Sequence, residues 1–459
     1  MLTVEKIGGT SMSRFHDVFN NIILVNGKAS YNRIFVVSAY ENVTNWLLEH
    51  KKTGEPGIYQ RFVHNEEYEQ ELDRLKERLL EINKRYLDLK LDEAEARQFL
   101  EERIEQTKNY LRSMAEVIAS GYVNKSDIFF AARELLASIG EAHSAFNTVN
   151  ILNHNGIHAT LVDLSGFHDR EYLTIDERIH KAFHGINFPK TIVVATGYTK
   201  GTEGIMREFD RGYSEVTFAK IAVEVKADEA IIHKEFHLSS ADPKIVGLDK
   251  AVPVGFTNYD VADQLADVGM EAIHPKASKP LEKAGINLRI KNTFEPDHPG
   301  TIISKNYLGE EARVEIIAGS DKVVVIEVHD SSMVGEPGFD MNIMQLFYQH
   351  RISYIMKATN ANSISLVIWE KDKKESLLEG LRGKYERVTV KPQAIVCIIG
   401  SNIAKPGVLA RAAHVLAENK INVECISQSL RQVNIQLTIK REDFPAAIRV
   451  LNEALCYQA

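Results

Sequence analysis

From the first residue to about residue 300, short β-branched runs alternate with longer helical patterns. No other feature constrains the fold as strongly. Six runs read as strands: LTVEKIG, RIFVVSAY, HATLVDL, TIVVATG, EAIIHK and NLRIKN. Their alternation with helix-length segments predicts an α/β fold, a mostly parallel sheet sandwiched by helices. Ligands of such sheets bind outside the carboxyl ends of the strands. Several runs end in small or hydroxyl residues, as at Ser38-Ala39, Asp163-Leu164-Ser165-Gly166 and Ala195-Thr196-Gly197, which places the expected chemistry there.

The chain has 459 residues, more than one core organises, so further domains are expected. Residues 65–120 lack glycine and proline, and Leu72, Leu75, Leu79, Ile82 and Tyr86, then Leu100, Ile104, Leu111, Met114 and Ile118, follow a helical period. This predicts two long helices inserted into the domain 1–300, packed on it or acting as a lid or coiled coil. Pro296, Pro299, Gly300 and Gly309 mark a linker, assigned to 301–320. Beyond it a repeat is legible. Gly338 and Gly407 precede helical patterns, Ile352 and Ile421 are expected to open strands, and Ile364, Leu366 and Ile368 match Val433, Ile435 and Leu437 at one constant offset. Two small α+β units follow, 321–392 and 393–459.

Lys+Arg number 55 and Asp+Glu 63, a net charge of -8, which argues against nucleic acid as a partner. Three cysteines, Cys397, Cys425 and Cys456, form neither a pair pattern nor a zinc motif, as expected of a reducing compartment, the cytoplasm. No run of apolar residues reaches the length of a membrane helix, so no membrane association is expected.

The first strand ends in Lys6-Ile7-Gly8-Gly9-Thr10-Ser11. Glycines bring backbone N–H groups close to a ligand, a helix start adds more of them, and Lys6 adds a full charge; together they suit a phosphate. The order of residues is not that of a Walker loop, where the lysine follows the glycines. His233 and His237 lie four apart, but they flank the end of a strand, so a metal pair is not expected and no protein-held metal site is assigned.

Lys6 through Ser11 resembles the Lys-Phe-Gly-Gly-Thr-Ser signature of aspartate kinases. The match continues through Val36-Val37-Ser38-Ala39, Ser138-Ile139-Gly140-Glu141, Asp242-Pro243 and His274-Pro275-Lys276. The C-terminal repeat resembles the paired ACT units of that family, so the expected architecture is an amino-acid kinase fold with tandem ACT units. The resemblance implies transfer of the γ-phosphoryl group of ATP, with Mg2+, to the side-chain carboxylate of L-aspartate. It implies catalytic roles for Lys6, Gly8, Gly9 and Glu215. Aspartate would meet Thr10, Ser38, Thr44, Glu141, Arg211 and Ser214. The nucleotide would meet Lys6, Gly9, Ser11, His233, Lys234, Ser239, Asp242, Lys244 and Lys276. An effector loop would include Met333, Gly338 and Phe339, and self-association would run through the ACT units.

The chain also departs from the family. Arg211-Gly212-Tyr213-Ser214-Glu215 stands where Arg-Gly-Gly-Ser-Asp is usual, His233 through Leu238 replace a Thr-Asp-Val-Asp-Gly-type turn, and Glu271 replaces a nucleotide-facing lysine. These changes resemble the aspartate kinases associated with ectoine synthesis. Ile355 stands where an acid would hold an effector's amino group, so weak or no inhibition by lysine is expected. The rival readings are a kinase of another amino acid and a non-catalytic effector sensor.

Overall fold

All six runs form strands. In a computed structural model of the protein they hydrogen-bond in parallel in the order Ala159–Val162, Ile192–Thr196, Arg33–Val37, Thr3–Ile7, Glu229–Lys234 and Asn287–Asn292. The structure describes all residues except 26, 52, 210, 211, 271, 312 and 457–459. Val4, Val36, Val194, Ile232 and Ile290 are among the buried strand residues, as a sheet covered on both faces requires. Tyr68–Lys84 and Glu93–Ser120 are the two inserted helices, and their apolar seams pack with each other and with the long helix Lys125–His154.

The register decides which way each side chain points. Lys6 pairs with Ile232 and Val36, whereas Glu5 pairs with Ile231 and Phe35, and Ile7 with His233. Successive residues of a strand face opposite sides, so Lys6 and Lys234 share one face while Glu5 and His233 share the other.

The chain divides into two compact units, Met1–His237 with His274–Gly300, and Leu238–Ile273 with Thr301–Ala459. The expected boundary at residue 300 therefore needs correcting. Ala241 and Val246 join the core of the second C-terminal repeat, Ser240 O accepts from Ile317 N at 2.7 Å, and Gln264 accepts from Asn434 at 3.0 Å. Burial of those apolar groups assigns Leu238–Ile273 to the second unit.

The expected linker 301–320 is also structured. Thr301–Ser304 pairs in parallel with Phe256–Asn258, and the strand Ile316–His329 begins inside it. The first part of that strand, through Ser320, pairs with Ile395–Ile399, and the rest with Ser363–Trp369 and the start of Arg387–Ile399. The first repeat is thus inserted after the opening strand of the second. Both repeats share one six-stranded antiparallel sheet, with Met356–Thr359 and Cys425–Gln428 at the two ends of the strand order. Gly338 and Gly407 each cap an 11-residue helix with φ near +100°. Ile352 and Ile421 do not open strands; their N–H groups bond back to Phe347 O and Leu416 O, closing those helices, and the strands start at Met356 and Cys425.

Candidate active site

At the end of the first strand Gly8 is extended, and the short helix Gly9–Met12 follows. A Cβ on Gly9 would lie 2.8 Å from Ala39 O, so only glycine fits this approach of two strand ends. Thr10 is exposed beside the turn. Ser11 is buried and its hydroxyl is 3.1 Å from that of Thr293, which ties the turn to the segment after the strand Asn287–Asn292.

Lys6 projects over the strand end to Glu215, with Nζ 3.5 Å from Oε1. The other carboxylate oxygen of Glu215 accepts from His274 N at 2.6 Å. Burial alone would raise the pKa of Glu215. The nearby Lys6 and Lys234 ammonium groups and the His274 N–H outweigh burial and hold it below the usual carboxylate range. The longer acid at this position therefore still reaches the lysine, and two cations flank it. Gly212 leaves room for His274, whose ring carbon would lie 2.6 Å from a Cβ there. Sequence reasoning quoted His274 as part of a motif without a role; its backbone N–H orients Glu215.

Glu141, on the helix Lys125–His154, is 2% exposed. Ser214 donates its hydroxyl to Glu141 Oε1 at 2.7 Å, while Oε2 has no hydrogen-bond partner among the described residues. Burial raises the carboxyl to about 8, against the opposing pull of Ser214 and the Lys6 charge. A buried carboxylate with one bare oxygen is built to receive a cationic donor. Gly197 permits this arrangement, because its Cβ would fall 2.9 Å from that of Ser214. Tyr213, the bulky replacement, is buried with its ring edge-on to Tyr198, 5.9 Å between centroids. Its phenol also belongs to the environment of Glu141, a contribution the sequence did not reveal.

Ser38 N donates to Ile7 O at 3.1 Å, and Ser38 O accepts from Ser144 Oγ at 2.8 Å, so its backbone is tied from both sides. Thr44 is half-buried in the helix Val43–Leu47. Arg211 and Glu271 lie outside the described residues.

The expected nucleotide contacts separate into different environments. His233 is 5% exposed and its Nε2 lies 2.8 Å from Glu5 Oε2, on the sheet face opposite Lys6. Lys234, its neighbour, lies on the Lys6 face. Lys276 donates to Glu208 O at 2.7 Å. In the second unit, Asp242 is a helix cap, accepting from Lys244 N at 2.9 Å, Lys244 is exposed, and Ser239 is buried. Of the expected effector residues, Met333 lies in the core of the first repeat, Phe339 packs against it, and Gly338 caps the helix. His237 Nε2 lies 3.0 Å from Glu295 Oε2, with its ring centroid 4.0 Å from that of His298, whereas His233 meets Glu5.

A parallel sheet with a lysine and a glycine turn at a strand end, beside a helix that carries a buried glutamate, is the arrangement of an amino-acid phosphotransferase. Residues 1–292 match the amino acid kinase family, and residues 396–455 match the ACT domain. The chain is 48% identical to the aspartate kinase Ask_Ect of Stutzerimonas stutzeri (strain A1501), over 99% of this chain and 97% of that protein. It is 25% identical to the chloroplastic aspartokinase 1 of Arabidopsis thaliana, over 98% of this chain and 79% of that one. The chain belongs to the aspartate kinases of the amino acid kinase family. Two crystal structures share its fold at 20% identity. The aspartate kinase of Clostridium acetobutylicum has a TM-score of 0.74 and covers 99% of this chain and 100% of its own. E. coli aspartokinase III in complex with aspartate and ADP has a TM-score of 0.72 and covers 100% of both chains.

Proposed function

We propose that the protein transfers the γ-phosphoryl group of ATP to the side-chain carboxylate of L-aspartate, giving 4-phospho-L-aspartate. The observation that carries this reading is Glu141, buried with one bare carboxylate oxygen and within the electrostatic reach of Lys6. One carboxylate oxygen of aspartate bonds to the γ-phosphorus as the bond from that phosphorus to the β,γ-bridging oxygen breaks, and ADP leaves with the electron pair. The attacking carboxylate, with a pKa near ~3.9, is already ionised, so no general base is required.

The work left to the protein is charge neutralisation and alignment. Lys6, held by Glu215, neutralises the transferred group, and the first N–H groups after Gly8 face the same place. Lys234 adds a second cation on that face. Glu141 takes the α-amino group of aspartate, Ser38, Thr44 and Thr10 supply hydroxyls, and Arg211 pairs with the α-carboxylate. Mg2+, entering with ATP, would supply further positive charge to the phosphate groups beside Lys6 and Lys234. Synthesis of the ectoine precursor is the pathway this reading favours, on the strength of the departures shared with that branch. The three cysteines are free, in keeping with a place in the cytoplasm. Self-association runs through the ACT units, where Met341 and Tyr348 are exposed on the helix Phe339–Gln349.

The reading is tested by trapping the acyl phosphate with hydroxylamine in the presence of MgATP and either aspartate or glutamate. Aspartyl hydroxamate is the expected product. Absence of hydroxamate with either acid overturns the enzyme reading, and product from glutamate alone overturns the acceptor.

A further inference from the structure

The helix that carries Glu141 also carries, on its other face, a set of buried polar side chains that phosphoryl transfer does not use. His143 and Asn147 sit on the helix of Glu141 and are 0% exposed, and Asn83, from the inserted helix Tyr68–Lys84, is buried against them. Asn83 Oδ1 lies 2.7 Å from His143 Nε2 and accepts from Asn147 Nδ2 at 2.8 Å, and Asn147 Nδ2 lies 3.0 Å from the same His143 nitrogen. Asn147 Nδ2 also reaches the hydroxyl of Tyr40 at 3.3 Å. Asn83 Nδ2, His143 Nδ1 and Asn147 Oδ1 have no partner among the described residues. Apolar side chains of similar volume would fill this core without that desolvation cost. The cluster therefore contributes orientation more than stability.

What it orients is given by its connections. Tyr40 follows Ser38 by two residues and packs edge-on to His143, 5.4 Å between centroids. Tyr40 also stacks on Tyr86, which follows the inserted helix, at 5.6 Å and 26°. The Tyr86 hydroxyl points to Met12 O and Ser13 O at 3.4 and 3.3 Å, at the end of the glycine-turn helix. Ser144, one residue after His143, holds Ser38 O. Groups from the insertion thus touch the Glu141 helix, the Ser38 segment and the Gly9 helix.

We propose that Asn83, His143 and Asn147, with Tyr40 and Tyr86, form a positioning network that sets the Glu141 helix, the Ser38 segment and the Gly9 helix relative to one another and makes the helical insertion a working part of the aspartate site. This rests on the aspartate kinase reading. The residues touch no reacting atom; they act through Glu141 and Ser38.

His143→Leu removes the ring nitrogen that meets Asn83 and Asn147 while keeping bulk. The expected result is a rise of about tenfold in the KM for aspartate and in its calorimetric Kd, with the KM for ATP within about twofold, because displacement of Glu141 affects the acceptor only. His143→Gln restores a polar amide, able to donate or accept, toward Asn83 and Asn147 and is expected to recover most of the loss. Tyr40→Phe deletes one hydroxyl and carries the test if the His143 variants fail to fold; about a threefold rise is expected. Unchanged aspartate Kd in a folded His143→Leu or Tyr40→Phe protein overturns the proposal. So do equal rises in both KM values with no recovery in His143→Gln, the pattern of a purely structural role. Failure of the wild-type protein to make aspartyl hydroxamate overturns the parent reading instead.

Discussion

Glu141 carries the sharpest consequence at the scale of single residues. Burial raises its carboxyl to about 8, so near neutral pH the group is largely protonated before aspartate arrives. Binding the substrate ammonium requires the ionised form, which links binding to proton release. The KM for aspartate is therefore expected to fall as pH rises from about 6.5 to about 8.5, and initial-rate measurements across that range check it. A flat profile contradicts the assignment. Glu141→Gln is expected to raise that KM at least about tenfold, since a charge-assisted contact contributes roughly 1.5–3 kcal/mol. Glu5 shows the opposite titration. Burial pushes its carboxyl up, but Arg33, at 2.6 Å, and His233 outweigh that and hold it well below the usual range. A depressed pKa stabilises the fold above the unfolded value, near ~4.3, and that contribution is lost as pH falls below it. Glu5→Ala leaves Arg33 and His233 without their counter-charge and is expected to cost about 3–5 kcal/mol, measured by urea unfolding at neutral pH.

At the scale of elements, the six strands were legible because β-branched runs of the right length stand between helix-length segments. At the end of the Glu229–Lys234 strand, His233 and Lys234 are adjacent and so face opposite sides of the sheet, a separation that strand alternation makes legible in the sequence. The pairing of Glu141 with Ser214 was invisible as a contact, since it joins helices 73 residues apart. The constant offset of the repeat predicted matching helices, and the structure gives both the same left-handed glycine at their start. Nothing lies within 4 Å of a Cβ on Gly407, so Gly407→Ala tests backbone strain alone. A loss of about 1–2 kcal/mol in chemical denaturation is expected. No loss would show that the left-handed glycine is not required there.

At the scale of the whole chain, the interleaving of the repeats and the assignment of Leu238–Ile273 to the second unit rest on pairings between distant segments, which no local pattern encodes. The expected linker concealed the strand that opens the second repeat, because its proline and glycine punctuation precedes a run of buried apolar residues from Val314. Regulation also belongs at this scale. Ile355 is 8% exposed and offers no counter-charge for a buried ammonium. Lysine at millimolar concentration is expected to leave the rate nearly unchanged; strong inhibition at micromolar lysine contradicts that. The central claim is that Lys6 and its glycine turn neutralise the transferred phosphoryl group. Its most direct test compares the aspartyl hydroxamate rate of the wild-type protein with that of Lys6→Ala. The account predicts a fall of at least about 10²-fold with the circular dichroism spectrum and melting temperature preserved. An unchanged rate in the folded variant would place the chemistry elsewhere.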